Sequence, residues 1–178
     1  MGVQKHFIPI VLLLFFLLVA REIYPYVEPL NSEVEDGFAI EKIDSGYGGP
    51  TCLEWADNSS LLMCDRDSGR ILLLDADDGF KSVALLSGLD HPHDVHLTSD
   101  HLFVSEEGQL SRYNRSNLSF SDPVVLIEGI PSGNHQTNAI NSFPNGTLIW
   151  HSGSTCNVCE QSDERNAALL WVDPVTLS

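Results

Sequence analysis

The sequence predicts an all-β protein, a β-propeller of about three blades behind an N-terminal hydrophobic leader. Three observations lead there. From about Gly46 the chain repeats itself, with matching positions 42 and 44 residues apart. Within each repeat, β-branched and aromatic residues cluster in short runs between turn formers. After the leader, no long window places apolar residues at i, i+3, i+4 and i+7, so helices have no periodic support.

The repeats are "TCLEWADNSSLLMCDRDSGRILLLD", "HDVHLTSDHLFVSEEGQLSRYN" and "TNAINSFPNGTLIWHSG…NAALLWVD". Each holds an apolar run, a polar turn, and a second run ending in small or acidic residues. Another turn and a third run follow. Leu53, Val95 and Ala139 occupy equivalent places, and the first turns fall at Asp57-Asn58, Ser99-Asp100 and Pro144-Asn145-Gly146. Such residues belong in turns for backbone reasons. A period of this length, built from strands of about five residues, is the pattern of a propeller.

Taken in order, residues 1–20 form the leader. Fourteen consecutive apolar residues, 7–20, follow a weakly basic start. That run is shorter than the roughly 20 residues of a bilayer-spanning helix and fits a signal-peptide core. Ala20 suits a cleavage site, but Leu18 two places earlier is not small, so a cleaved signal and a short retained anchor both stay open. Either one exports the protein and makes it extracytoplasmic, with membrane contact only through an uncleaved leader. Residues 21–45 read as an extended tether and first strand region, because the prolines of "YPYVEPLN" disfavour helix. Residues 46–178 are the propeller. The third repeat stops at "VDPVTLS", where its third strand ends. Propellers generally close with about 4 to 8 blades, and soluble sheets avoid open edges. The sequence therefore reads as the front part of a longer ring, with completion by self-association as the other route.

Charge narrows the partners. Twenty-five acidic residues against nine Lys and Arg give a formal charge of -16. Such a field repels nucleic acid and anionic membrane surfaces and suits a neutral sugar or a cation. The acids are scattered, which describes a solvated surface better than a binding tail. Four Asn-x-Ser/Thr sequons, at Asn58, Asn114, Asn117 and Asn145, agree with export but also serve as ordinary turn residues.

Several residues could carry chemistry. His135 stands in the Gly/Asn-rich turn "SGNHQT", and neutral imidazole is a natural acceptor for a proton leaving an alcohol. "LDHPHDVHLTSDH" holds His91, His93, His96 and His101. The spacing of His93 and His96 points them to opposite sides of a strand, so no joint metal site is assigned. Cys156 and Cys159 form "CNVC" in a loop without the strand-to-helix setting of a redox motif, which favours a loop-stapling disulfide. Cys52 and Cys64 flank the Asp57–Ser60 turn symmetrically, compatible with a cross-hairpin disulfide or with two buried thiols. "DRDSGR" and "DADDG" lack calcium-loop ligand spacing and read as turns.

The stretch "GIPSGNHQTNAINSFPNGTLIWHSGSTCNVCEQSDERNAALLWVDP" resembles the glucose/sorbosone dehydrogenase family, which includes quinoproteins built as six-bladed propellers. Members typically carry Gly-Gly-His-x-Thr-Arg, a hairpin with Pro-Asp/Asn-Gly, Gly-Ser-Ser-Cys-Asn-x-Cys, an acidic segment and an Ala-rich run into Asp-Pro. Gly133 to Thr137, Pro144 to Gly146, Gly153 to Cys159 and Ala167 to Pro174 correspond here. "GLDHPHDVHL" is similar to the family's Leu-x-x-Pro-His-Gly opening of the preceding blade. The resemblance implies pyrroloquinoline quinone and Ca²⁺ as cofactors, with most of their ligands beyond residue 178. It implies His135 as general base, taking a proton from a sugar hydroxyl while hydride passes to the quinone. His93, Asn138, Ser154 and Asn157 would face the cofactor. Three positions depart from the family: Asn138 replaces an arginine, Asp94 a glycine, and Ser154 an aspartate that some glucose-oxidising members use. The expected function is an exported quinoprotein-like aldose or sorbosone dehydrogenase. The alternative is a non-catalytic propeller that binds a glycan or a protein.

Overall fold

The computed structural model describes residues 34–173, so the leader and most of the tether lie outside the described residues. The chain divides into residues 1–42 and residues 43–178. In the first unit, the described residues 34–42 are exposed and carry a turn at Asp36-Gly37. Residues 21–33 of the tether and first strand region lie outside the described residues; in 34–45 no strand occurs, and the first strand among the described residues begins at Pro50. Among the described residues this stretch pairs with no strand and is exposed, which leaves its backbone to water.

The second unit is all β. Strands β1 (Pro50–Trp55), β2 (Ser60–Asp65), β3 (Arg70–Asp75) and β4 (Lys81–Ser87) form one antiparallel sheet in sequence order. A second sheet runs β5 (Asp94–Leu97), β6 (His101–Glu106), β7 (Gln109–Ser116) and β8 (Ser119–Ile127). The third has three strands, β9 (Ala139–Ser142), β10 (Leu148–Ser152) and β11 (Ala168–Val172). These are three blades of a β-propeller. "DRDSGR" and "DADDG" are turns, as their composition requires. Each makes a short 3-10 turn, Arg66–Ser68 and Ala76–Asp78, that ends on a left-handed glycine.

Apolar side chains pack between blades. Cys52, Leu62, Cys64 and Ile71 of the first blade meet Val95, Leu102 and Val104 of the second in one cluster. Phe103 and Leu110 of the second meet Ile140, Leu148, Trp150 and Val172 of the third in another. Trp150 is fully buried, and its indole nitrogen donates to Ser105 Oγ at 2.7 Å, so the largest side chain of the second interface is also satisfied. Strand alternation sends the neighbours outward: Leu169 and Trp171 are 73% and 65% exposed on the far face of the third blade.

The register corrects the equivalence read from the repeats. Cys52 pairs with Cys64, Val95 with Val104 and Ile140 with Trp150, and all six face a core. The counterparts of Val95 are therefore Cys52 and Ile140, rather than Leu53 and Ala139. A shift of one residue turns a side chain to the other face, and Leu53 is 65% exposed. The hairpin turns differ in length between blades, so matching apolar runs by eye lands one residue out.

Polar side chains hold the first strands of neighbouring blades side by side and in the same direction. Thr51 Oγ1 donates to the Pro92 carbonyl at 3.0 Å, and Glu54 Oε1 accepts from the Leu97 amide at 3.3 Å. Asp94 Oδ2 accepts from the Ile140 amide at 2.8 Å, and His96 Nε2 lies 2.8 Å from Ser142 Oγ. The blades thus share two well-defined ends: one where each first strand begins, and one where it turns into the second.

Candidate functional site

A cleft of about 460 Å³ opens at the end where the first strands begin. Thr51, Cys52 and Leu53 line it from the first blade, His93 and Asp94 from the second, and Thr137, Asn138, Ala139 and His151 from the third. Loop residues at strand starts gather here because the three first strands run parallel. Sequence reasoning gave no reason to place Thr51, Thr137 or His151 together, since they lie up to a hundred residues apart in the chain.

His93 is the buried member. It is 8% exposed, and its Nε2 has no hydrogen-bond partner among the described residues. Its backbone amide donates to the Ser105 carbonyl at 2.8 Å, which fixes it just ahead of β5. Burial, with smaller contributions from the charges of Arg66 and His91, lowers its pKa to about 4. The imidazole is therefore neutral near pH 7, and its Nε2 is itself buried. His96 faces away, toward Ser142 and Glu54.

Asp94 also lines the cleft, but its oxygens are occupied. Oδ1 accepts from the Val95 amide at 3.0 Å and Oδ2 from Ile140. Burial raises its pKa, a shift that these two amides only partly offset. Asn138 is equally committed. It is 2% exposed, its Nδ2 donates to the Glu106 carbonyl at 2.8 Å, and its Oδ1 accepts from the Gly153 amide at 2.8 Å. The carboxamide ties the second blade to the third, so its polar atoms are used on backbone and not held free for a ligand.

His135 sits at the same end, just before β9, with an exposed side chain. Its backbone bridges to Ser154, whose amide donates to the His135 carbonyl at 3.1 Å. Two glycines make the approach close. A Cβ at Gly153 would collide with the His135 carbonyl and the Thr137 amide, and one at Gly133 with the Thr155 carbonyl. The Gly-x-His turn and the Gly-Ser-Thr turn are thus backbone against backbone. Ser154 Oγ donates to the Cys156 carbonyl at 3.0 Å. Asn157 is exposed in the loop beyond it. His135, Ser154 and Asn157 are not among the residues lining the cleft; they belong to the loops before β9 and after β10, at the same end of the third blade.

Both cysteine pairs are joined, Cys156 to Cys159 and Cys52 to Cys64. The first closes an exposed loop between β10 and β11 at the cleft end. The second crosses the β1–β2 hairpin with Cα atoms 5.1 Å apart, in the facing positions that the symmetric spacing allowed. Cys64 is fully buried, and Cys52 lines the cleft.

One cluster escaped the sequence reading. Asp90, His91 and Glu107 bring ligand-type atoms within 4.8 Å of one another at the same end of the second blade. His91 Nδ1 is 2.8 Å from Asp90 Oδ1 and 3.5 Å from Glu107 Oε2. Only the β6–β7 turn brings Glu107 back to Asp90, with the Glu107 amide donating to the Asp90 carbonyl at 3.0 Å. No spacing rule would have joined them. The arrangement is that of a histidine flanked by two carboxylates. No described helix is long and apolar enough to cross a membrane.

No protein-family model and no curated protein sequence matches the chain. Among solved structures it is similar to the PQQ-bound form of an aldose sugar dehydrogenase from Streptomyces coelicolor, with a TM-score of 0.56 and 19% identity. The match covers 76% of this chain and 47% of that one, so the chain spans about half the neighbour's length. At that identity the likeness shows the fold alone.

Proposed function

We propose that the chain forms blades of an extracytoplasmic quinoprotein-type sugar dehydrogenase, with His135 as the base that removes the proton from the substrate hydroxyl. The carrying observation is the backbone clamp between the His135 turn and Gly153-Ser154, which holds the backbone that carries an exposed histidine at the same end of the blades as the cleft. A general base must be held within reach of the proton it takes, and rigid support supplies that. The solved neighbour's bound PQQ and its aldose substrate class favour the same reading. The two disulfides agree with an oxidising compartment.

The cleft residues suit one wall of a quinone site. His93 lines it with a neutral imidazole, and Thr137 and His151 offer polar side chains. The charge of Asp94 is turned to backbone amides, which limits its repulsion of an anionic ligand. Among the described residues no Lys or Arg lines the cleft, so counter-charges for the cofactor's carboxylates would come from elsewhere in the ring. When bound, the quinone supplies the hydride acceptor. His93 orients the ligand, the Asn138 and Asp94 bonds keep the second and third blades from parting beneath it, and His135 accepts the proton. Calcium belongs to this reading by resemblance alone.

The test is aldose-dependent dye reduction by the native protein supplied with the quinone and Ca²⁺. His135→Ala should abolish turnover with the fold intact; a fully active variant would sink the assignment. A second reading, a non-catalytic propeller that binds a glycan or protein, draws support from Asn138 and Asp94. Both depart from the quinoprotein pattern, and both are spent on holding blades together. A folded native protein that takes up no quinone would favour it.

A further inference from the structure

We propose that Asn58 and Asn145 are N-glycosylation sites, and that the first sugar at each covers an exposed aromatic patch on the end of the blades away from the cleft. All four sequons sit toward that end. Asn58 lies in the β1–β2 turn, Asn145 in the β9–β10 turn, Asn117 in the β7–β8 turn, and Asn114 near the end of β7. All four asparagines are exposed. A glycan on any of them would leave the cleft open.

What singles out Asn58 and Asn145 is their neighbours. The exposed phenylalanines and tryptophans among the described residues are Phe38, Trp55, Phe143 and Trp171, and the last three lie beside these two sequons. Trp55 is 68% exposed and lines, with Ala56, Asp57 and Asn58, one shallow hollow of about 440 Å³. Asp57 Oδ1 accepts from the Ser59 and Ser60 amides at 2.9 and 2.8 Å, which closes the turn tightly around Asn58. At the other site Phe143 precedes Asn145 by two residues, and its ring lies 5.3 Å from that of Trp171. The turn is shut by Phe143 N to the Thr147 carbonyl at 2.8 Å and Gly146 N to the Phe143 carbonyl at 2.9 Å. Asn145 Oδ1 accepts from the Thr147 amide at 3.2 Å, so the carboxamide is held by its oxygen with the nitrogen left for modification.

Exposed aromatic area is unfavourable in water, and a pyranose offers an apolar C–H face that can lie on such a ring. A glycan anchored two or three residues away reaches it without further ordering of the chain. The donor is a lipid-diphosphate-linked oligosaccharide of the secretory pathway. The asparagine Nδ2 bonds to the anomeric carbon, the bond from that carbon to the diphosphate oxygen breaks, the lipid diphosphate leaves with the electron pair, and one amide proton is released.

The test is secretion of the full chain from a eukaryotic host, followed by enzymatic release of glycans in heavy-oxygen water and peptide mapping. Labelled aspartate is expected at positions 58 and 145, and Asn58→Gln and Asn145→Gln should each remove one glycan-sized step of mobility. Acrylamide quenching reads the stacking, because Trp150 is buried and the exposed tryptophans are Trp55 and Trp171. The glycosylated protein should show a loss of quenching relative to the same protein after glycan removal. Unmodified asparagines overturn the proposal, whether the chain reached the secretory lumen or never entered it. Modified asparagines with unchanged quenching overturn the stacking and point instead to cover by another protein surface.

Discussion

Asp94 joins two blades through one carboxylate: Oδ2 accepts the Ile140 amide at 2.8 Å while Oδ1 accepts the Val95 amide at 3.0 Å. The bond crosses from β5 to β9 at the floor of the cleft. Removing the carboxylate strands two backbone donors, so Asp94→Ala should cost about 2 kcal/mol, within the usual range for leaving buried groups unsatisfied. Asp94→Asn, which keeps an acceptor oxygen, should cost less. Equilibrium denaturation of the three proteins measures the order.

Asn138 makes the reciprocal tie, donating to the Glu106 carbonyl and accepting from the Gly153 amide. Asn138→Asp keeps the acceptor but loses the donor and sets a carboxylate against a carbonyl oxygen. It should lower the thermal midpoint more than Asp94→Asn does. Asn138→Arg, the residue typical of the resembled family, should be worse still, because the side chain is 2% exposed and a guanidinium cannot replace the acceptor. A midpoint equal to wild type for either variant would contradict a structural role.

These two residues mark what the sequence could and could not tell. Strands, turns and the three-stranded third blade were legible because alternation and turn chemistry are local. The facing of Cys52 and Cys64 across their hairpin was legible for the same reason. Asp94 and Asn138 stood out only as departures from a family pattern. Their bonds go to Ile140, 46 residues on, and to Glu106, 32 residues back, partners that only the stacked blades supply. The one-residue error at Leu53 and Ala139 has a similar origin, since register depends on turn length more than on the apolar runs. His135 was visible as a histidine in a glycine turn, but its clamp against Gly153 needed the fold.

Stability should depend on pH through His93. Its folded pKa, about 4, lies below the ordinary histidine value of 6.5, so the unfolded chain binds the extra proton first. The stabilisation is complete above pH 6.5 and is lost as pH falls toward 4, about 3 kcal/mol in total. Asp94 and Glu106, whose carboxyls burial pushes up, act in the opposite sense: their protonated forms favour the folded state at low pH, and this is lost as pH rises through their range. Unfolding free energies between pH 4 and 7 should show the His93 slope, and His93→Asn should flatten it. A slope unchanged in the variant would place the effect elsewhere.

The two disulfides should differ in access and consequence. Cys159 is exposed and Cys64 is fully buried. Mild reductant should open Cys156–Cys159 first with the fold intact, while Cys52–Cys64 should yield only as the protein unfolds. Loop-closure entropy assigns about 3 kcal/mol to the longer crosslink, so Cys52→Ala with Cys64→Ala should show a loss of that order. Alkylation and peptide mapping during a reductant titration give the sequence of opening.

The most direct measurement is a single turnover of quinone bound to the native protein, followed by absorbance after mixing with an aldose. Wild type should bind the quinone and reduce it on mixing, as the base assignment requires. His135→Ala should bind it with similar affinity but reduce it about 10²–10⁴-fold more slowly, the range of a lost general base. Reduction by the variant at the wild-type rate, or a folded native protein that binds no quinone, would contradict it.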